Sequence, residues 1–429
     1  MRPTLTITVW AALGCALAAQ GASPAAAPVP SLTLAQALQR ARANSPEFQA
    51  AVVAEGAAKD DLTQARAGLL PSLNYNNTYI YTQASRYIAN NGVHEYLSQG
   101  DVHEALGFAQ TAAWAKAQAG LALARAQAEI AVRGLVTTVT TDFYNVLSTG
   151  HKLTTAQQAL ASAQQYLKVS QDRENGGEVA HADVIKAQLE VQQKQRDLAE
   201  AQLDADKTRL DLAVLLFPNF DTRYNLVDDL DQVPPLPPLP QIQRMAGKQN
   251  PQLAAAQAGL AQARQDVTLA RANFLPNLSL DYFYGIDAGQ FAVRNQLGQP
   301  NLGSSATATL NIPVFDWGAN RAKLHTSELR QQQARVQLSF TQRQLAANLQ
   351  EFFNEATAAR EELATLASSR GLAAESLRLT ALRYQDGEAT ILELVDAQNT
   401  LTQARNAYDD GEVRFRVALA TLQTLTGTF

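Results

Sequence analysis

The chain is written twice. Residues 44–81 and 249–286 align without a gap at an offset of 205, so that Asn44-Ser45-Pro46 meets Gln249-Asn250-Pro251. Within that block, Gln-Ala-Arg-Ala-Gly-Leu-Leu-Pro-Ser-Leu (64–73) meets Leu-Ala-Arg-Ala-Asn-Phe-Leu-Pro-Asn-Leu (269–278). Further on the offset becomes 210: Gly177-Glu178 matches Gly387-Glu388, and Ala187-Gln188 matches Ala397-Gln398. A loop absorbs the extra five residues. Self-similarity of this length means two copies of one structural unit rather than two unrelated domains. The repeats run over 28–233 and 241–429, joined by the stiff proline-rich linker 234–240.

Each unit ends in a helical hairpin. After Tyr384, the turn Asp386-Gly387 stops one helix, because glycine takes φ > 0 without steric cost. The next helix carries Leu394, Leu401, Tyr408, Phe415 and Leu422 in strict seven-residue register. A second row, three residues on, is mostly small: Ala397, Ala404, Gly411, Ala418, Leu425. The preceding helix repeats the spacing with Leu338, Leu345, Phe352, Ala359, Leu366 and Ala373. Seven-residue periodicity on both sides of a turn predicts an antiparallel, left-handed supercoiled pair. Gly176-Gly177 makes the corresponding turn in the first unit, with Val184, Val191, Leu198 and Leu212 in the large row. The long first-unit helix runs from about Ala112 to Asn175.

Each unit begins with a helix, broken once at its internal proline, that leads through Leu-Pro-x-Leu into alternating residues. Leu73, Tyr75, Asn77, Tyr79 and Tyr81 alternate with Ser72, Asn74, Asn76 and Thr78; Leu278, Leu280, Tyr282, Tyr284 and Ile286 alternate with Asn277, Ser279, Asp281, Phe283 and Gly285. The strands are placed at 71–83, 101–111, 276–287 and 305–315, with polar loops between the members of each pair. Strands of about ten residues with one apolar face are those of a membrane β-barrel. Nothing else in the chain offers an apolar surface to cover them, since the helices use theirs on each other. Four strands cannot close a barrel, for which about eight is the usual minimum. Three chains supply twelve.

Charged residues make up 17% of the chain and the net charge is −5, which argues against nucleic acid as a partner. Residues 1–27 read as a secretory signal, a basic start followed by a short apolar core and small residues. The sole cysteine, Cys15, is a candidate lipidation site in an imperfect lipobox, Ala12-Leu13-Gly14-Cys15; cleavage beyond it is the competing reading. The five histidines (94, 103, 151, 181, 325) are scattered without metal-ligand spacing, no nucleophile–base motif is present, and no cofactor or enzymatic activity is expected. Glu393 and Asp396 stand three residues apart on one helical face at the second tip, a spacing most often found on a solvated surface.

From about residue 31 onward the chain resembles the outer-membrane efflux proteins, the TolC family of channel-tunnels. The resemblance rests on the duplicated helix–strand–strand–helix unit, the Leu-Pro-x-Leu junctions, Ile-Pro-Val-Phe-Asp-Trp-Gly (312–318), and Tyr384-x-x-Gly387…Leu394-Val395-Asp396-Ala397-Gln398. It implies a mainly α chain whose long hairpins form a periplasmic α-barrel. Four strands per protomer then enter a trimeric, twelve-stranded outer-membrane β-barrel. It also implies a passive exit duct, with an inner-membrane transporter and a periplasmic adaptor as partners. Glu393 and Asp396 take the positions of the acids that narrow the periplasmic entrance, and crowding of like charges would raise their pKa values. Asp183 and Tyr384 take the positions of an aspartate and a tyrosine of the tip gate network. The family's latch arginine falls at Ala389, which leaves Arg383 as its candidate substitute. A soluble periplasmic coiled-coil scaffold, an adaptor-like protein, is the alternative; it would share the hairpins and lack paired, lipid-facing strands.

Overall fold

The computed structural model describes residues 31–81, 94–219 and 223–427. The signal segment and Cys15 lie outside the described residues. In chain order the elements are β1 (Ser31–Leu32), α1 (Leu34–Asn44), α2 (Pro46–Ala67), β2 (Ser72–Tyr81), β3 (His94–Leu106), α3 (Phe108–Asn175) and α4 (His181–Leu216). The second series is β4 (Asn225–Leu226), α5 (Leu239–Gln249), α6 (Pro251–Ala272), β5 (Asn277–Ala288), β6 (Leu302–Asn311), α7 (Ala319–Gln385) and α8 (Ile391–Thr426).

The repeated Asn/Ser-Pro motif is a helix start. Ser45 and Asn250 are N-caps whose side chains accept from Phe48 N–H and Leu253 N–H, and Pro46 and Pro251 occupy the first helical position. The neighbouring amides then join helices end to end: Asn44 Nδ2 donates to Leu216 O at 2.6 Å, and Asn250 Nδ2 donates to Leu425 O at 3.3 Å. Thus α4 continues the line of α2, and α8 continues the line of α6. The helical wall is four strips wide, α2/α4, then α3, then α6/α8, then α7. With 68 residues, α3 is about 100 Å long at ~1.5 Å per residue.

The heptad rows pack as their spacing requires. Leu394, Leu401, Phe415 and Leu422 are buried, and at Gly411 a β-carbon would stand 2.6 Å from Leu366 Cδ1. That is the close approach for which the small row is needed.

Four strands form one antiparallel sheet in the order β2-β3-β5-β6, so the two repeats meet at β3–β5. Cross-strand partners share a face, and the register places Leu73, Val102, Tyr282 and Ala306 in one row, with Tyr75, Gly100, Tyr284 and Ser304 in the next. The opposite face carries Asn76, Asp101, His103, Asp281 and Thr307, with Asn76 Nδ2 donating to Asp101 Oδ1 and His103 Nδ1 lying 2.6 Å from Asp281 Oδ1. Gly285 packs directly on the β3 backbone: a β-carbon there would lie 2.3 Å from Ser98 O.

Three boundaries differ from those read in the sequence. The second strand is His94–Leu106 rather than 101–111, and α3 begins at Phe108. Gly100, Ser98 and Glu104 fall on its apolar-face positions, which erases the alternation that would have marked it. The fourth strand is Leu302–Asn311 rather than 305–315, because Pro313 has no N–H to extend the ladder. The first strand reaches Tyr81, beyond which its expected end lies outside the described residues. The proline-rich stretch ends inside α5, which has Pro240 in its first turn.

Both sheet edges are open. All ten residues of β2 and all ten of β6 are exposed in the single chain. Exposed aromatic and apolar side chains border the sheet at both ends. Phe108, Phe274, Phe315 and Trp317 lie at the junctions with the helices, and Tyr79, Tyr81 and Phe291 lie toward the hairpin loops. No helix among the described residues is long and apolar enough to cross a membrane.

Candidate functional site

The far ends of the two hairpins lie together and form the site. The turns are built alike. Gly177 has φ +74 and Gly387 has φ +84, and Glu178 N and Glu388 N donate to Arg173 O and Arg383 O respectively. A side chain at either glycine would force a strained left-handed backbone. Gly176, by contrast, is the right-handed residue that ends α3.

Beneath the turns is an apolar cluster of Ala187, Tyr384, Ala389, Ile391 and Leu394, with Tyr166, Leu167 and Val395 packed around it. Ala389, the position where the family's latch arginine falls, is therefore buried in this cluster. Tyr384 is only 2% exposed; its hydroxyl pairs with Ser170 Oγ at 2.6 Å. Arg173 of α3 donates from Nη1 to Tyr384 O at 2.8 Å and holds its guanidinium 5.3 Å from the Tyr384 ring centroid. Because that carbonyl belongs to the last turn of α7, the cation also faces the negative end of the helix. Nε of Arg173 binds Glu178 at 3.1 Å.

Of the residues expected at the tip gate, Tyr384 joins α7 to α3. Asp183 is half-buried on α4, and its recorded ion pair is with Lys186 of the same helix at 3.5 Å. Arg383 stays within its own turn, donating to Glu388 O and lying 3.5 Å from Glu393 Oε2. The residues that hold the two tips together, Ser170 and Arg173, were missed in the sequence. One signal was present: at the offset of 210, Arg173 is the counterpart of Arg383.

Glu393 and Asp396 are both exposed on the first turns of α8. Glu393 has a structural task as well. Thr390-Ile-Leu-Glu393 is a capping box, in which Thr390 Oγ1 accepts from Glu393 N–H and Glu393 Oε1 accepts from Thr390 N–H at 3.2 Å. The Thr390 backbone N–H, and after it the Thr390 hydroxyl donating to the same Oε1 at 3.1 Å, hold the Glu393 carboxyl below the usual range, and Arg383 adds to the effect. Within one chain this is opposite to the rise that crowding of like charges would cause.

Replacing Arg173 with Ala should loosen the tip without unfolding the hairpins. A hydrogen bond from a charged donor is worth about 1.5–3 kcal/mol, so amide exchange at Gly387 and Glu388 should quicken about 10- to 100-fold. Tyr384→Phe, which keeps the ring and loses only the Ser170 pair, should give the smaller change. Equal exchange in all three proteins would remove Arg173 from the tip's cohesion.

Comparison with known proteins places this architecture. The family model described as outer membrane efflux protein matches residues 37–216 and 243–428, one segment in each repeat. The chain is similar to the outer membrane protein TolC of Escherichia coli (strain K12), 23% identical over 419 residues that cover 92% of this chain and 82% of the relative. Among solved structures it is similar to the outer membrane protein VceC of Vibrio cholerae, with a TM-score of 0.82 at 19% identity over 92% of this chain and 96% of that one. It is also similar to the CmeC outer membrane channel of Campylobacter jejuni, with a TM-score of 0.82 at 16% identity over 92% of this chain and 85% of that one.

Proposed function

We propose that this chain, which belongs to the outer membrane efflux protein family, assembles as a trimer that spans the outer membrane as a β-barrel and the periplasm as a helical tunnel. It serves as a passive exit duct. Substrates reach it from an inner-membrane pump through a periplasmic adaptor, and both are partners of the duct rather than parts of it.

The observation that carries this reading is the open sheet. Two exposed edges of ten residues each are a liability that a stable protein covers. Edge-to-edge pairing of β6 with the β2 of another copy covers both, and three copies of four strands make a closed barrel of twelve. The apolar face of that barrel then meets lipid, bordered by aromatic side chains at both ends, and the Asn-, Thr- and Asp-bearing face meets water. A soluble scaffold leaves those edges and that face without a role.

At the periplasmic end, the same three-fold arrangement turns Glu393 and Asp396 into two rings of three carboxylates around the axis. Tyr384 with Ser170 and Arg173, rather than Tyr384 with Asp183, holds each protomer's two tips together around them. The rings form the constriction.

Chemical cross-linking of the protein extracted from outer-membrane fractions in mild detergent tests the assembly. The cross-linked species should run at three times the mass of the mature chain and should shift on heating. A monomer that remains stable and conducts ions would contradict the closure argument.

A further inference from the structure

A second set of charged contacts lies far from the tips, where residues 223–238 cross the helical wall. At one end of this strap Tyr224 and Leu230 are buried in a core with Phe143 of α3 and Leu212 of α4. At its other end Leu236 packs against clusters built from α7 and α8, including Ala359, Leu363 and Phe415. The strap therefore touches both hairpins. Between these anchors it carries Asp228, Asp229 and Asp231.

Each of these acids meets a helix. Tyr144 of α3 donates its hydroxyl to Asp229 Oδ2, and Arg416 of α8 donates to Asp229 O. Asp231 lies near buried Glu412 and Tyr408 of α8. His151 of α3 stands between two carboxylates: its Nε2 is 2.7 Å from Asp228 Oδ2 of the strap, and its Nδ1 is 3.5 Å from Asp409 Oδ1 of α8. Ionised carboxylates only accept, so both ring nitrogens must carry hydrogen for both contacts to be favourable. The geometry selects the imidazolium.

We propose that His151 is a charged clasp that ties the strap and α8 to α3 and so fixes how far the α3/α4 and α7/α8 hairpins stand apart at their root, independently of the contacts at the tips. His151 here is a positioning residue. It shares a cavity of about 550 Å³ with Arg370 of α7 and Arg405 of α8. Beside it, Lys152 pairs with Asp410 at 2.5 Å, and Arg416 approaches Asp229. These neighbouring cations already face Gln158, the Tyr408 ring or their own carboxylates. Loss of the His151 charge would leave Asp228 and Asp409 facing each other as like charges.

The proton is strongly held. The Asp409 and Asp228 carboxylates that flank the ring raise the His151 pKa to about 9 against the opposing effect of burial. Because the folded value lies above the unfolded one, 6.5, the clasp contributes fully below pH 6.5 and is lost as pH rises through about 9.

Hydrogen exchange of the full assembled protein, corrected for the intrinsic pH dependence, reads this directly. At pH 7, His151→Gln should speed exchange of strap amides 223–238 about tenfold or more, while Gly387 and Glu388 at the tip stay unchanged. His151→Lys, which keeps a cation, should stay close to wild type, and wild type at pH 10 should match His151→Gln. Strap exchange that is unchanged in His151→Gln, or equally fast in His151→Lys, would overturn the proposal. If His151→Gln fails to assemble, the wild-type series from pH 7 to pH 10 decides alone, and a flat corrected series refutes the clasp.

Discussion

An arginine at Ala306 should abolish stable insertion, whereas an arginine at Thr307, one residue on, should be tolerated. The two side chains point to opposite faces of β6. Ala306 lies in the row with Tyr282 and Val102, near the middle of its strand. A cation there meets hydrocarbon at a cost of about 2–4 kcal/mol, incurred three times in a three-chain barrel. Thr307 lies opposite Asp281 on the polar face, where an arginine finds both water and a carboxylate.

Depth grades the effect. Leu310 pairs with Leu278 at the edge of the sheet nearest the helices, so Leu310→Arg should cost only ~0–1 kcal/mol. Leu280→Arg should also fall short of Ala306→Arg, because Glu104 is its cross-strand partner and would meet the new charge. Heat-modifiable trimer on gels after outer-membrane fractionation measures all four variants. Equal tolerance at Ala306 and Thr307 would defeat the barrel assignment.

The second large effect is expected at the proposed constriction. The double variant Glu393→Gln with Asp396→Asn should lose cation preference in planar bilayers. It should also lose block by multivalent cations added from the periplasmic side, with the half-blocking concentration rising on the order of tenfold or more. Assembly should be unaffected for a specific reason: glutamine at position 393 can still accept from Thr390 N–H, so the capping box survives the loss of charge. Glu393→Ala would confound the experiment, since it removes the cap along with the charge. The ion pair with Arg383 adds little, both partners being about half exposed at 3.5 Å. Unchanged selectivity and unchanged block in the double variant would take these acids out of the pore and return them to the surface.

What the sequence determined by itself is what depends on local periodicity. Seven-residue rows such as Leu394–Leu401–Phe415–Leu422 state which helix face is buried, and a glycine after each long helix states where the chain turns back. The duplication carried each reading from one unit to the other, and where alternation was cleanest the start of β2 and both ends of β5 were legible within one residue. Where alternation failed, in β3, the boundary was lost, because Gly100, Ser98 and Glu104 leave the apolar side too weakly marked. Only the tertiary structure decided which distant residues meet. The buried pair of Ser170 and Tyr384 is 214 residues apart in the chain, and Arg173 reaches Tyr384 across 211. His151 joins a strap 77 residues away to a helix still more distant. Such contacts have no period. They arise where packed helices bring polar groups out of water and each must find a partner, and that choice is made by the geometry of the assembled wall rather than by any one helix.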